Sequence, residues 1–222
     1  GHNRCGVAPG SPAVELARLA AGARHLHFTG LMGYEGHVVD LEDREAREQG
    51  ARACLQRLVD TREAVEQAGI EVEITSASGT GDYYLSTTYP GITEVQAGSY
   101  ALMDRAYGKL DLGFKNALTV LTTVSSRPAP EQVVTDAGLK SVTPEHGMPA
   151  VKGRDDLEVH ALSEEHGRLR SLAGACDLEA GAVLEFIPGH GCTTVNLHDQ
   201  LYAVRQGRLE AIWEIAGRGK VR

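Results

Sequence analysis

The sequence predicts an α/β half followed by a mostly antiparallel β half, and three observations carry that reading. From Ser11 to about Gly108, apolar residues at helical spacing alternate with short strand-like runs. From Ala117 onward strand-like runs follow one another with no comparable helix between them. Glycine-centred turns punctuate both halves at the ends of these runs. Strands separated by helices imply parallel pairing, and so a barrel or a doubly wound sheet for the first half.

The first helix starts with Ser11 as N-cap and Pro12 at its first position, carries Val14, Leu16, Leu19 and Ala20, and stops near Gly22. His25 to Leu31 reads as a strand, with turn glycines at Gly30 and Gly33. A long helix follows, capped by Asp40. Cys54, Leu55, Leu58, Val59 and Val65 recur along one face, and Gly69 ends it. Ile70 to Thr75 is the next strand and runs into the loop from Ser76 to Asp82. Thr93 to Ala97 is the last strand of this half, followed by Gly98-Ser99-Tyr100. Gly108 to Lys115 connects the halves, giving domains at 1–112 and 113–222. Strands are then expected at Ala117 to Val124, Gln132 to Asp136, Glu158 to Leu162 and Ala182 to Ile187, and at Leu201 to Val204 with Leu209 to Ile215 joined at Gln206-Gly207. The opening Gly1 to Val7 reads as the exit of a strand whose body lies upstream.

A chain of 222 residues can bury a sizeable core. Acidic residues exceed basic ones by 30 to 22, a formal charge of -8 that argues against binding a nucleic-acid backbone and leaves a small molecule as the expected partner. Cys5, Cys54, Cys176 and Cys192 show no close-paired spacing, which fits a reducing cytoplasm. No run approaches the ~20 apolar residues of a membrane span.

Two features bear chemistry. His190-Gly191-Cys192 follows the apolar run ending at Ile187. On a continuing strand, residues two apart share a face and could grip one borderline-soft ion such as zinc, leaving positions open for water or substrate. The pair by itself also fits two ordinary packed residues. The loops Ser78-Gly79-Thr80-Gly81 and Gly98-Ser99-Tyr100 follow consecutive strands, and backbone N–H groups and hydroxyls at such turns can nest a phosphate. Each loop alone is equally a plain turn.

Arg4-Cys5-Gly6-Val7, Gly30 to His37, Ser78-Gly79-Thr80, Gln96 to Tyr100, Asp136 to Lys140 and Pro188 to Asn196 occur in that order. In this the chain resembles the D-threonine aldolase and D-serine dehydratase family of pyridoxal-phosphate enzymes, relatives of alanine racemase. The resemblance implies the C-terminal half of an alanine-racemase-like (β/α)8 barrel that binds pyridoxal 5'-phosphate, then a β domain carrying a divalent metal. Zinc is the expected metal, with manganese or magnesium as alternatives, and the family suggests a homodimer. The lysine that anchors the cofactor belongs at the end of the first barrel strand. At ~30 residues per strand–helix unit it would precede Gly1, by roughly 120 to 150 residues counted from the start of the barrel. None of Lys109, Lys115, Lys140, Lys152 or Lys220 stands in its place, so the chain alone is expected to be inactive.

By the same resemblance, Arg4 directs its guanidinium at the cofactor's phenolic oxygen, and Tyr34 lies near the pyridine ring. Gln96 stands where racemases have an arginine facing the ring nitrogen. Ser78, Gly79, Thr80, Gly98 and Ser99 cradle the phosphate, with Tyr100 closing over it, and His190 and Cys192 hold the metal. The implied reaction is lyase chemistry on a D-β-hydroxy-α-amino acid. Cysteine at position 192, where aldolase-type members tend to have aspartate, favours dehydration of D-serine or D-3-hydroxyaspartate to a 2-oxo acid and ammonia. Retro-aldol cleavage to glycine and an aldehyde is the alternative. A racemase or a non-catalytic cofactor carrier is the further one.

Overall fold

The computed structural model describes residues 2–220. The chain divides into two compact units, Gly1–Tyr100 and Ala101–Arg222.

In the first unit, α1 (Ser11–Gly22) and α2 (Arg44–Gln67) flank short strands β1 (Gly30–Met32), β2 (Ile74–Ala77) and β3 (Glu94–Val95), with the single turn α3 (Tyr83–Ser86) after β2 and a 3-10 turn at Ser99–Ala101. The sheet order is β1-β2-β3 and both pairings are parallel, as helices between strands require. Gly30 lets β1 lie against β2, because a Cβ there would strike the Ile74 carbonyl oxygen. Val14 and Ala17 of α1 pack on Val65 of α2 and on Val72, while Leu55, also on α2, is 1 % exposed.

Three expectations change. The N-cap of α1 is Gly10, with Ser11 already helical and no side chain capping. Asp43, not Asp40, caps α2, its carboxylate accepting from the Ala46 N–H at 2.7 Å. All three strands are shorter than their sequence runs. Of the predicted His25–Leu31, only the part from Gly30 pairs, and the register places Ile74 rather than Ile70 opposite it. The Thr29 carbonyl is met by both Glu73 N and Ile74 N, so regular pairing begins only beyond it.

The second unit opens with the single-turn helix α4 (Arg105–Gly108). It then forms a closed six-stranded barrel in the order β4-β5-β8-β7-β6-β9, from β4 (Val120–Ala129), β5 (Gln132–Thr135), β6 (Ala150–Val151), β7 (Leu157–Leu162), β8 (Gly167–Ser171) and β9 (Val183–Ile187). Every pairing is antiparallel, and closure leaves no free edge. Val124, Val133, Val142, Leu169 and Phe186 fill the interior. After β9 come α5 (Gly191–Val195) and the separate hairpin β10 (Gln200–Arg205) with β11 (Arg208–Glu214), turned at Gln206-Gly207 as the sequence suggests. The sequence reading missed β6 and β8. The 101–112 segment, expected as part of the first half, belongs to the second unit because Arg105 N and Ala106 N bond the Pro188 and Gly189 carbonyls. Among the described residues no helix is long and apolar enough to cross a membrane, and all four cysteines are free.

Candidate functional site

Each unit carries one cluster of chemistry-bearing residues. In the first, the turn after β2 is built by carboxylates. Asp82 lies three residues past Gly79 and closes the turn back onto it. Its Oδ1 accepts from Gly79 N and from Ser78 Oγ, each at 3.0 Å. Ser78 N donates to Glu35 Oε2 at 3.2 Å, and Ser78 is held at φ +80°, a backbone region that few residues other than glycine enter. Gly81 is required by close approach, since a Cβ there would collide with the Val39 carbonyl oxygen. Thr80, 1 % exposed, accepts from Tyr100 N at 3.0 Å, which stitches the second loop to the first and leaves the Thr80 hydroxyl proton as a donor. Open space surrounds the Gly98 Cα where a side chain would project. A donor hydroxyl beside an unobstructed glycine turn fits a phosphate.

Tyr34 comes to the same place, its ring within 3.4 Å of where a Gly79 Cβ would stand, and the Arg4 guanidinium lies 5.8 Å from the centre of that ring. Arg4, Tyr34 and the Ser78–Thr80 turn are therefore neighbours, as the motif order suggests. Arg4 thus has a cation–π partner in Tyr34. Gln96 is exposed and donates to Ser76 Oγ at 2.8 Å, which in turn donates to Glu94 Oε1 at 2.6 Å. The Ser78 N–H and hydroxyl are both engaged by protein partners, so Ser78 shapes the turn.

Glu35 and Asp82 are the residues that sequence reading passed over. Both are buried, at 1 % and 0 % exposed, and each keeps one buried oxygen without a hydrogen-bond partner, Glu35 Oε1 and Asp82 Oδ2. Burial, then the neighbouring Asp82 carboxyl, pushes Glu35 up to about 8.

In the second unit His190 and Cys192 do not continue a strand. His190 is the N-cap of α5 in extended conformation and Cys192 is the second residue of that helix, so face-sharing along a strand does not apply. What orients His190 is Asp104, another residue sequence reading missed. Its Oδ2 meets His190 Nδ1 at 2.7 Å and accepts from Gly191 N at 3.3 Å, while its Oδ1 accepts from Tyr107 N at 2.9 Å. Burial opposes the Asp104 charge, but the bonds from His190 and Tyr107 outweigh it and its carboxyl is held low. The same bond raises His190, and a carboxylate on Nδ1 leaves Nε2 as the nitrogen that could meet a further partner. Burial, then Glu145 and Asp104, push the Cys192 thiol up, so a cation is needed to make it a thiolate. Thr193 donates to Glu145 Oε2 at 2.5 Å and Thr143 N to Thr194 Oγ1 at 3.3 Å, pinning α5 to the 143–145 loop. The His146 ring lies 4.9 Å from that of His190. Among the described residues no three His, Cys, Asp or Glu side chains are clustered to hold an ion. One nitrogen and one sulfur, on His190 and Cys192, are the soft donors that this segment carries.

Other titratable residues take structural parts. Asp136 accepts from Thr123 N and Thr122 Oγ1 at 2.7 and 2.8 Å, His198 bonds the Ser141 carbonyl at 2.8 Å, and His37 lies 3.9 Å from the Cys54 sulfur.

Comparison with known proteins covers both units. Residues 1–106 match the alanine racemase N-terminal domain and residues 117–204 the putative serine dehydratase domain. The chain belongs to the family of D-threonine aldolases and D-serine dehydratases. Within it, the chain is 40% identical to a D-threonine aldolase of Arthrobacter sp over 99% of its length, and 39% identical to a 3-hydroxy-D-aspartate aldolase of Paracoccus denitrificans over the same share. It spans 59% of each of those two relatives. The crystal structure of D-threonine aldolase from Filomicrobium marinum superimposes with a TM-score of 0.95 at 33% identity, over 100% of this chain and 62% of that one. In the aldolase–dehydratase family frame, Arg4, Tyr34, the two loops and Asp104 fall in the racemase-like match, and His190 and Cys192 in the dehydratase-like one.

Proposed function

We propose that this protein is a pyridoxal-phosphate- and divalent-metal-dependent lyase of D-β-hydroxy-α-amino acids, cleaving them to glycine and an aldehyde. The observation that carries the reading is the Asp104–His190 bond at 2.7 Å, the carboxylate–imidazole pair by which proteins hold a metal-ligating histidine, with Cys192 on the same helical turn. The phosphate-shaped pair of loops in the first unit supports the cofactor half. Three parallel strands in sequence order fit a stretch of (β/α)8 barrel wall.

When bound, the cofactor supplies an electron sink for charge at Cα, and the ion supplies a Lewis acid for the β-oxygen. The chain's own residues do the rest. Thr80, Gly98 and Ser99 bind the phosphate. Arg4, always charged, offers donors to the ring oxygen, and Tyr34 flanks the ring. His190 presents Nε2, and Cys192 gives its proton up to solvent when a cation offsets the nearby carboxylates. The thiolate makes zinc the favoured ion, ahead of manganese or magnesium.

Retro-aldol cleavage is supported by the two relatives at 39% and 40% identity, both aldolases. Dehydration to a 2-oxo acid and ammonia is the second reading, favoured by sulfur at position 192. The natural full-length protein, loaded with cofactor and metal and given D-threonine, D-3-hydroxyaspartate and D-serine, decides between them. Glycine with aldehyde is the expected outcome, and ammonia with 2-oxo acid selects the dehydratase. Interconversion of D and L isomers unchanged by metal removal returns the protein to a racemase, and no turnover of any of these substrates returns it to a cofactor carrier.

A further inference from the structure

The buried carboxyl pair Glu35 and Asp82 has no part in the chemistry above, yet it holds the turn that receives the phosphate. Glu35 accepts from Ser78 N, and Asp82 accepts from Ser78 Oγ and Gly79 N. The two residues sit in different segments, 47 positions apart in sequence and both at 1 % exposure or less, and each turns one unbonded oxygen into the interior. Burial disfavours charge on both carboxyls at once, and the two converge on Ser78, so a proton on one of them relieves both.

We propose that Glu35 and Asp82 share one proton and act as a latch that sets the Ser78-Gly79-Thr80 turn in its phosphate-receiving shape, so that losing the proton releases the turn. The part concerning phosphate rests on the functional reading above; the part concerning the turn does not. The pair is set to hold its proton at neutral pH. Burial and the facing Asp82 carboxyl raise Glu35 to about 8, while the Ser78 N–H pulls the other way. From α2 the group facing the pair is Cys54, whose thiol is itself pushed up, by burial first and also by Glu35 and Asp82. Arg57 on the same helix acts on Cys54 and His37. Above that range the proton goes to solvent, and two like charges lie side by side beneath an anion site. Their repulsion pulls on the three hydrogen bonds that keep Ser78 at φ +80°. Glu35 and Asp82 are thus positioning residues, acting through the turn.

The test uses the natural full-length protein and two readouts. The first is hydrogen exchange of the peptide spanning residues 76–82, expressed as protection factors at about pH 6.5 and about pH 9.5. The second is affinity for pyridoxal 5'-phosphate against pyridoxal at the same two pH values. E35Q keeps an acceptor for Ser78 N and a fixed donor toward Asp82, so it copies the protonated latch permanently; D82N does the same from the other side. Wild type should lose about tenfold in turn protection and in phosphate-dependent affinity on going to the higher pH, and both variants should lose neither. E35A should lose protection at both pH values. Equal protection in wild type at the two pH values, or the same alkaline loss in E35Q and D82N as in wild type, overturns the latch. If protection responds as expected but pyridoxal 5'-phosphate binds no better than pyridoxal, the latch stands and the cofactor reading fails.

Discussion

Asp104 shows how one buried carboxylate can fix an imidazole in place. It takes hydrogen bonds from the His190 ring and from two backbone N–H groups, which locks both the carboxylate and the imidazole in place. Replacing Asp104 with alanine should weaken zinc binding about 10- to 100-fold, measured by titration against a chelating dye, with the barrel still folded. On the proposed reading, Cys192 governs which ion is held. Cys192→Asp should exchange a soft ligand for a hard one and raise the ratio of manganese to zinc bound at equilibrium, read by elemental analysis after dialysis against both. His190 and Cys192 were legible in the sequence as a candidate pair because both residue types are visible at short spacing. Asp104 was not, because nothing local distinguishes it from an ordinary helix N-cap, a part it also plays by accepting from Tyr107 N.

At the scale of elements, the barrel is the better defined part and its strands differ in how readable they are. β4, β5, β7 and β9 carry alternating apolar residues and are found within a few positions. β8, Gly167-Arg168-Leu169-Arg170-Ser171, buries only glycine, leucine and serine on its inner face, and its arginines hide the alternation. β6 has two residues, too few for any period. Phe186 on β9 is fully buried among the barrel valines. Phe186→Ala should therefore cost about 3–5 kcal/mol in urea unfolding, through the cavity it leaves. In the first unit the strands were over-read: a strand exists only where a neighbour pairs with it, and the apolar run from His25 meets β2 only at Gly30.

At the scale of the whole molecule, the pH dependence of stability has two arms of opposite sign. Glu35 is raised from the ordinary 4.5 to about 8, so the stability it contributes is complete below about 4.5 and is lost as pH rises toward about 8. Asp104 and Asp136 are held low, Asp136 chiefly by the Thr123 N–H, and their contribution is present above the ordinary aspartate range and lost as acid protonates them. Urea midpoints measured across the pH range should pass through a maximum, and Glu35→Gln should flatten the alkaline arm while leaving the acid arm in place.

The order of motifs and the candidate pair His190 and Cys192 were properties of the sequence alone, as was the change from helix–strand alternation to strands only. These are local or short-spaced, and a linear reading captures them. Only the tertiary structure paired Asp104 with His190 across 86 positions and Glu35 with Ser78 across 43. It alone ended the strand before His190. Burial and closure of the chain create these relations: a carboxylate becomes a holder of imidazoles or of shared protons only when folding takes it out of water beside a partner that the sequence keeps far away.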